Sequence, residues 1–497
     1  MSLWRKKSIA KLLADAENAE HGLKRTLTAT SLVALGIGAI IGAGLFVRTA
    51  AAAGEHAGTA VILSFIIAAV GCLFAGLCYA EFASMIPIAG SAYTYAYTTM
   101  GELIAWIIGW ALILEYALGA ATVSIAWSEY LNNLLGGSIP YQWCHSPFQT
   151  SSAGVSGIIN IPAVFILLIL SLLLIKGISE SAKVNTVIVF VKISIVLIFV
   201  AVGWHFMKPA NHSPFLIPDN APPVLDSNNK VLYDYSAAEN HGWLGVLRGA
   251  AVVFFAFIGF DAVSTAAQET KNPKRDMPIG ILGSLAVCTV LYILFSYVLT
   301  GIAPYTDFVK AGSEASISYA IEHYMIGFKW LAPLITIAIL GGFSSVILVM
   351  LLGQSRVFYS MSKDGLLPKT FSDLHPRFST PYKSNLILFV FVGLFGAFVP
   401  ESVAGDLTSI GTLLAFVLVC AGIIILRKKD PLRPRPFRVP LVPYFPVFGA
   451  VVCAAMVASL GLSTLLTALG WMLIGLIIFF TYSRHHSNIS SENLPEK

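Results

Sequence analysis

Residues 36–44 read Gly-Ile-Gly-Ala-Ile-Ile-Gly-Ala-Gly, in the middle of an apolar stretch, 28–48, long enough to cross a bilayer. Glycine in a helix interior costs up to about 1 kcal/mol relative to alanine, so this cluster predicts a helix that breaks in mid-span. In lipid, unwound backbone survives only where protein buries it or where it lines a water-filled cavity. A second interruption, Phe254-Phe-Ala-Phe-Ile-Gly259-Phe-Asp261, lies inside the apolar stretch 243–267. Taken alone, Gly38 and Gly42 have the GxxxG spacing of close helix packing. Interruptions in corresponding helices of two halves instead point to a binding site near the bilayer midplane.

Outward from these two stretches, the whole chain is apolar. Of its 497 residues 57% are hydrophobic and 11% charged, against about a quarter charged in soluble domains. That composition excludes a water-soluble enzyme, a nucleic-acid binder and a disordered scaffold. A spanning helix needs about 20 mostly apolar residues. Twelve stretches qualify: 28–48, 57–83, 101–132, 159–175, 184–207, 243–267, 278–300, 331–355, 384–400, 404–426, 442–465 and 468–483. The fold class is therefore an all-α polytopic membrane protein with 12 transmembrane helices.

Spans one to five cover 28–207 and spans six to ten cover 243–426, two units of nearly equal length. Five is odd, so the second unit enters the membrane from the opposite face, a 5+5 inverted repeat. Around the repeats lie an N-terminal segment (1–27), an outer loop (208–242), a basic linker with two further helices (427–483) and a tail (484–497). Of 31 Lys and Arg, 24 fall on the side of the termini and four in the opposite loops. This bias sets both termini in the cytoplasm of a cell that carries the protein in its plasma membrane. The loop 208–242, rich in Pro, Asn and Asp, predicts a compact cap, and 428–441 a stiff basic linker against the anionic inner leaflet. The start is charged and amphipathic, with Arg5, Lys6, Lys7 and Lys11 among Ile9, Leu12 and Leu13, and no cleavable signal is expected. Six cysteines without CxxC spacing indicate neither a disulfide framework nor a metal site. No filter repeat suggests a channel, and no catalytic constellation or cofactor is indicated.

The chemistry of the breaks is specific. A half-helix that starts after Gly42 turns free N–H groups and partial positive charge towards a carboxylate. The ends of the preceding half-helices offer carbonyls to an ammonium. A zwitterionic amino acid satisfies both.

Four stretches carry a family resemblance: GIGAIIGAGLFV at 36–47, FFAFIGFDAVSTAAQETKNPKRDMPIGI at 254–281, QSRVFYSMSKDGLLPKTF at 354–371 and RPFRVPLVPYFP at 435–446. With them the chain resembles the amino acid–polyamine–organocation (APC) superfamily. Within it, the chain is similar to bacterial relatives of the cationic amino acid transporters and to proton-coupled transporters of the ApcT type. The resemblance implies the five-plus-five fold shared with the neurotransmitter–sodium symporters (LeuT-like), two extra C-terminal helices and alternating access. It implies that the substrate lies along Ile40 and Ile41, with its carboxylate on the N–H groups of Gly42, Ala43 and Gly44. The ammonium would meet carbonyls of Ile40, Phe255, Ala256 and Ile258, with Phe255 closing over the substrate. Ala43 departs from the commoner Gly-Ser-Gly and removes a hydroxyl contact.

Lys192 lies within Val-Ile-Val-Phe-Val-Lys-Ile-Ser-Ile-Val, nine residues from Lys183, roughly 13 Å along a helix at 1.5 Å per residue. An ionisable group at that depth faces a partner or a cavity. The resemblance implies that it is the proton-coupling group. The alternative is a permanent charge bonded to the broken helix in place of sodium. Glu115 in the third span faces the substrate or pairs with a neighbouring helix. Asp261 caps the second half-helix. Arg48 and Arg248 sit near the outer interface, where gating pairs and snorkelling both occur. Small apolar lining (Ile40, Phe255, Ile258) favours import of small neutral amino acids such as alanine with a proton; arginine or lysine transport, or exchange, is the alternative. Lipid is the other expected partner, and an accessory subunit is left open.

Overall fold

A computed structural model describes residues 4–8, 27–88, 90–151, 154–176, 182–226, 228–311, 316–378 and 380–488. Ile9, Lys11, Leu12 and Leu13 of the amphipathic start, and the tail beyond 488, lie outside the described residues. The longer helices are α1 (Ala29–Ile40), α2 (Val61–Met85), α3 (Glu102–Leu134), α4 (Ile161–Ile175), α5 (Ala182–Gly203), α6 (Gly242–Val253) and α7 (Pro273–Ile302). Then follow α8 (Leu331–Lys363), α9 (Tyr382–Phe398), α10 (Glu401–Lys429), α11 (Tyr444–Ser459) and α12 (Leu462–Ile478). Among the described residues eight helical stretches are long and apolar enough to cross a membrane, and four shorter apolar helices accompany them. The chain is a multi-pass membrane protein.

Local chemistry sets the helix ends. Thr28 Oγ1 accepts from Ser31 N at 3.4 Å to cap α1, and Asn160 Oδ1 accepts from Ala163 N at 3.2 Å to cap α4. Helix α8 runs eight residues past the expected 355, because nothing between Gln354 and Lys363 breaks a helix. It stops at Gly365, φ +78°, where Leu366 N reaches Met361 O (2.9 Å) and Gly365 N reaches Ser362 O (3.0 Å), the paired bonds of a Schellman end. The stretch Ser91–Thr99 forms a short buried helix that its alternating Tyr and Thr did not signal.

Burial sorts the helices into an inner and an outer set. Helices α1 and α6 are enclosed by α2, α5, α7 and α8, and α10 packs along a π-turn of α3 at Leu114–Leu118. Of the most apolar window of α3, 83% is buried, against 17% for α12. The exposed side of the outer set is aliphatic, as in Leu466, Leu469, Leu473 and Ile477 of α12, which is the face a helix turns to hydrocarbon.

Outside the helices, 208–242 is indeed folded, with a two-stranded hairpin (β1, Val224–Leu225; β2, Val231–Tyr233). Tyr235 ties it down by donating to Gly54 O at 2.6 Å. The basic linker differs from expectation. Buried Glu81 of α2 receives Arg427 through two bonds (3.1 and 2.5 Å), pairs with Arg435 at 3.2 Å and accepts from Val439 N at 2.7 Å. Arg435 of the linker, with Arg427 at the end of α10, therefore serves an internal carboxylate, not the leaflet. Arg433 bonds Asp430 at 2.7 Å and holds that carboxyl below its ordinary range. All six cysteines are free.

Candidate functional site

Helix α1 ends at Ile40, Ile41 turns extended (φ −72°, ψ 105°), and a π-turn resumes at Gly44–Arg48. Helix α6 tightens into a 3₁₀ turn at Phe254–Phe257, unwinds through Ile258 and Gly259 (φ +107°), and restarts as Ala262–Thr265. The expected interruptions are present, and they touch. A Cβ on Gly44 would stand 2.2 Å from Ala256 Cα, and one on Gly259 would stand 3.0 Å from Ala39 O. Each break is thus glycine where the other's backbone lies against it. Ile40, Ile41, Gly42, Ala43, Gly44, Phe255, Ala256 and Ile258 are all buried around this crossing.

Hydrogen bonding there is asymmetric. The N–H groups of Gly42 and Ala43 have no backbone partner among the described residues, while Leu45 N and Phe46 N return to Gly42 O at 3.1 and 3.3 Å. These are the orphan donors of a helix start. The carbonyls are more occupied than the sequence suggests. Tyr292 of α7 places its hydroxyl 2.8 Å from Ala256 O and 3.1 Å from Ile40 O, and Ile258 N bonds Phe255 O at 3.3 Å. A carbonyl oxygen has two lone pairs, so each keeps capacity for one further donor. Sequence reasoning missed Tyr292; a tyrosine within an apolar span whose hydroxyl needs a partner was the available signal.

Lys192, 1% exposed, donates to Gly38 O at 2.6 Å, and its Cε packs where Gly342 of α8 leaves room. It therefore holds the carbonyl end of α1 just before the break. Glu115 lies in the π-turn of α3, fully buried beside Asp261 and Thr412. Asp261 does not cap its half-helix: its side chain makes no capping bond and instead accepts from Tyr116 OH at 2.5 Å. The second break thus carries two carboxyl groups and the first a lysine.

Ion pairs flank both breaks. Arg48 is 2% exposed and pairs with Asp406 and, at 3.3 Å, with Glu401, both on α10, where Gly405 makes room for the guanidinium. It is buried and paired, so snorkelling does not describe it. Arg248 donates to Ala238 O and to Asn240 Oδ1 (2.6 Å), anchoring the outer loop. At the opposite end Arg356 of α8 bonds Glu269 at 3.1 Å, and Leu27 pairs with Thr270 in a parallel bridge. Lys7 pairs with Asp364, which also accepts from Tyr93 OH at 2.6 Å. Among the described residues no group of three or more His, Cys, Asp or Glu is placed to hold a metal.

Known proteins are similar to this chain in sequence along nearly its whole length. The family profile for amino acid permeases matches residues 27–488. The branched-chain amino acid permease BcaP of Bacillus subtilis (strain 168) is 44% identical over 494 residues, 98% of this chain and 99% of that protein. The methylthioribose transporter of the same organism is 40% identical over 489 residues, 98% and 99% of the two chains. Cationic amino acid transporter 4, vacuolar, of Arabidopsis thaliana is 34% identical over 432 residues, 86% of this chain and 68% of that one. The chain belongs to the amino acid permease family, within the amino acid–polyamine–organocation superfamily.

Proposed function

We propose that this permease is a proton-coupled symporter that imports amino acids by alternating access. The observation that carries the proposal is Lys192, buried with its ammonium on Gly38 O at the end of the first half-helix. A proton lost from that nitrogen removes the charge holding α1, which links protonation to the geometry of the break. The substrate's carboxylate sits on the N–H groups of Gly42, Ala43 and Gly44. Its ammonium takes the remaining lone pairs of Ile40, Phe255, Ala256 and Ile258. Twelve spans arranged as inverted repeats 28–207 and 243–426, with both termini in the cytoplasm of a plasma-membrane protein, complete the reading.

The apolar lining of Ile40, Phe255 and Ile258 supports small neutral substrates such as alanine. A larger aliphatic substrate is the second reading, favoured by the branched-chain permease at 44% identity. Cationic substrates are a third, favoured by the buried carboxyls Glu115 and Asp261.

Proteoliposomes decide. The expected result is saturable, stereoselective uptake of alanine that accumulates under an imposed inward proton gradient. Lys192→Ala is expected to abolish the accumulation, at least about tenfold, while alanine–alanine exchange persists. Accumulation unchanged in Lys192→Ala overturns the coupling, and no stereoselective uptake of any amino acid overturns the symporter. A panel of unlabelled competitors ranks alanine, leucine and arginine.

A further inference from the structure

We propose that an open groove between the first turns of α7 and the linker after α10 binds one anionic phospholipid. The groove, about 630 Å³, is lined by Lys274, Arg275, Ile279 and Leu282 on one side and Pro436 and Phe437 on the other. That volume lies within the range of small-molecule sites, about 300–1,000 Å³, and its lining is divided by chemistry along α7.

At the helix start stand two cations. Lys274 and Arg275 are exposed, and neither side chain has an ion pair or hydrogen bond among the described residues. Other basic side chains on this face are engaged by carboxylates, as Arg356 is by Glu269, Lys383 by Asp373 and Arg433 by Asp430. Asp276, in the same turn, is not part of the lining. Two uncompensated cations one residue apart recognise a phosphate.

Further along α7 the exposed residues turn apolar. Ile279 (42% exposed), Val287 (39%) and Val290 (57%) lie eight and three residues apart, which keeps them on one side of a helix. The track begins at the cations and runs the length of an acyl chain into the hydrocarbon region. A cationic head followed by an exposed aliphatic track is complementary to a phosphodiester carrying acyl chains; a free phosphate would use only the first part. Basic pockets at the ends of spanning helices are where anionic headgroups are held.

The second wall is fixed. Phe437 and Pro436 lie between Arg435, which pairs with Glu81, and Val439, whose N–H Glu81 also binds. The groove therefore has a rigid side set by a buried carboxylate, so a lipid there encounters a prepared surface.

Native mass spectrometry of the purified full chain tests it with phosphatidylglycerol, phosphatidylcholine and glycerol 3-phosphate as probes. The expected result is one tightly retained phosphatidylglycerol, preferred at least tenfold over phosphatidylcholine. That preference falls tenfold in Lys274→Gln/Arg275→Gln. In Ile279→Asn, a change at an exposed position, retention falls at least threefold with both cations intact. Equal retention of phosphatidylglycerol and phosphatidylcholine by the wild-type chain overturns the proposal without any variant. So does undiminished binding in the double variant, or competition by glycerol 3-phosphate as strong as that of the lipid.

Discussion

The two breaks share a shape and differ in chemistry. Both interrupt a helix in mid-span, and each has a glycine against the other's backbone, Gly44 at Ala256 and Gly259 at Ala39. The first break is preceded by a carbonyl held by a lysine, Gly38 O and Lys192. The second is followed by a carboxylate held by a phenol, Asp261 and Tyr116, with Glu115 alongside. Similar backbone thus presents a cation at one break and acids at the other. On the proposed reading the two breaks together hold a zwitterion, and the difference in charge orients it, with the lysine bound to the element expected to move.

The sharpest way to break the comparison is to test whether the two glycines are equivalent. Gly44→Ala puts a methyl group 2.2 Å from Ala256 Cα, a clash that backbone must yield to, and overpacking of this kind costs about 1–3 kcal/mol or more. Uptake is expected to fall about a hundredfold, measured in proteoliposomes with size-exclusion chromatography as the check on folding. Gly259→Ala meets its neighbour at 3.0 Å, but its φ of +107° is unfavourable for any side chain, a strain of about 1–3 kcal/mol. Its uptake is expected to fall about tenfold, with a lowered melting temperature. Equal losses at the two positions would mean that contact and backbone strain do not separate the breaks.

The smallest effect belongs to the residue the breaks share. Tyr292→Phe removes the hydroxyl that reaches both Ile40 O and Ala256 O, worth about 0.5–1.5 kcal/mol for a hydrogen bond. The expected outcome is a loss in substrate affinity of about threefold and a modest drop in thermal stability, with gradient-driven accumulation retained. Loss of accumulation in this variant would add α7 to the coupling proposed for Lys192.

Much of this geometry was legible in the chain. Glycine in an apolar span is costly enough to announce a break, and Lys192 is too deep for an orienting charge. What could not be read was who meets whom. Tyr292 looks like any aromatic in Leu-Tyr-Ile-Leu-Phe-Ser-Tyr, and Asp261 looks like a helix cap until Tyr116, 145 residues away, is seen to take it. Arg48 reads as an interface residue until folding brings Glu401 and Asp406 to it. Periodicity and cost per residue are local quantities. Partner choice depends on the packing of helices distant in sequence. The helix at Ser91–Thr99 was missed for a related reason: its apolar periodicity is weak, and its burial comes from neighbours.

The short bridge between Leu27 and Thr270 has a mechanical consequence. Leu27 N bonds Glu269 O at 3.0 Å and Lys271 N bonds Leu27 O at 2.9 Å, so the chain entering α1 is stitched to the chain leaving the second break. Two levers joined at the handle swing as one: tilting the first half-helix drags the segment beyond Asp261 with it. Amide exchange at Leu27 and Lys271 should accordingly quicken and slow in step, however the far ends of the two helices are disturbed.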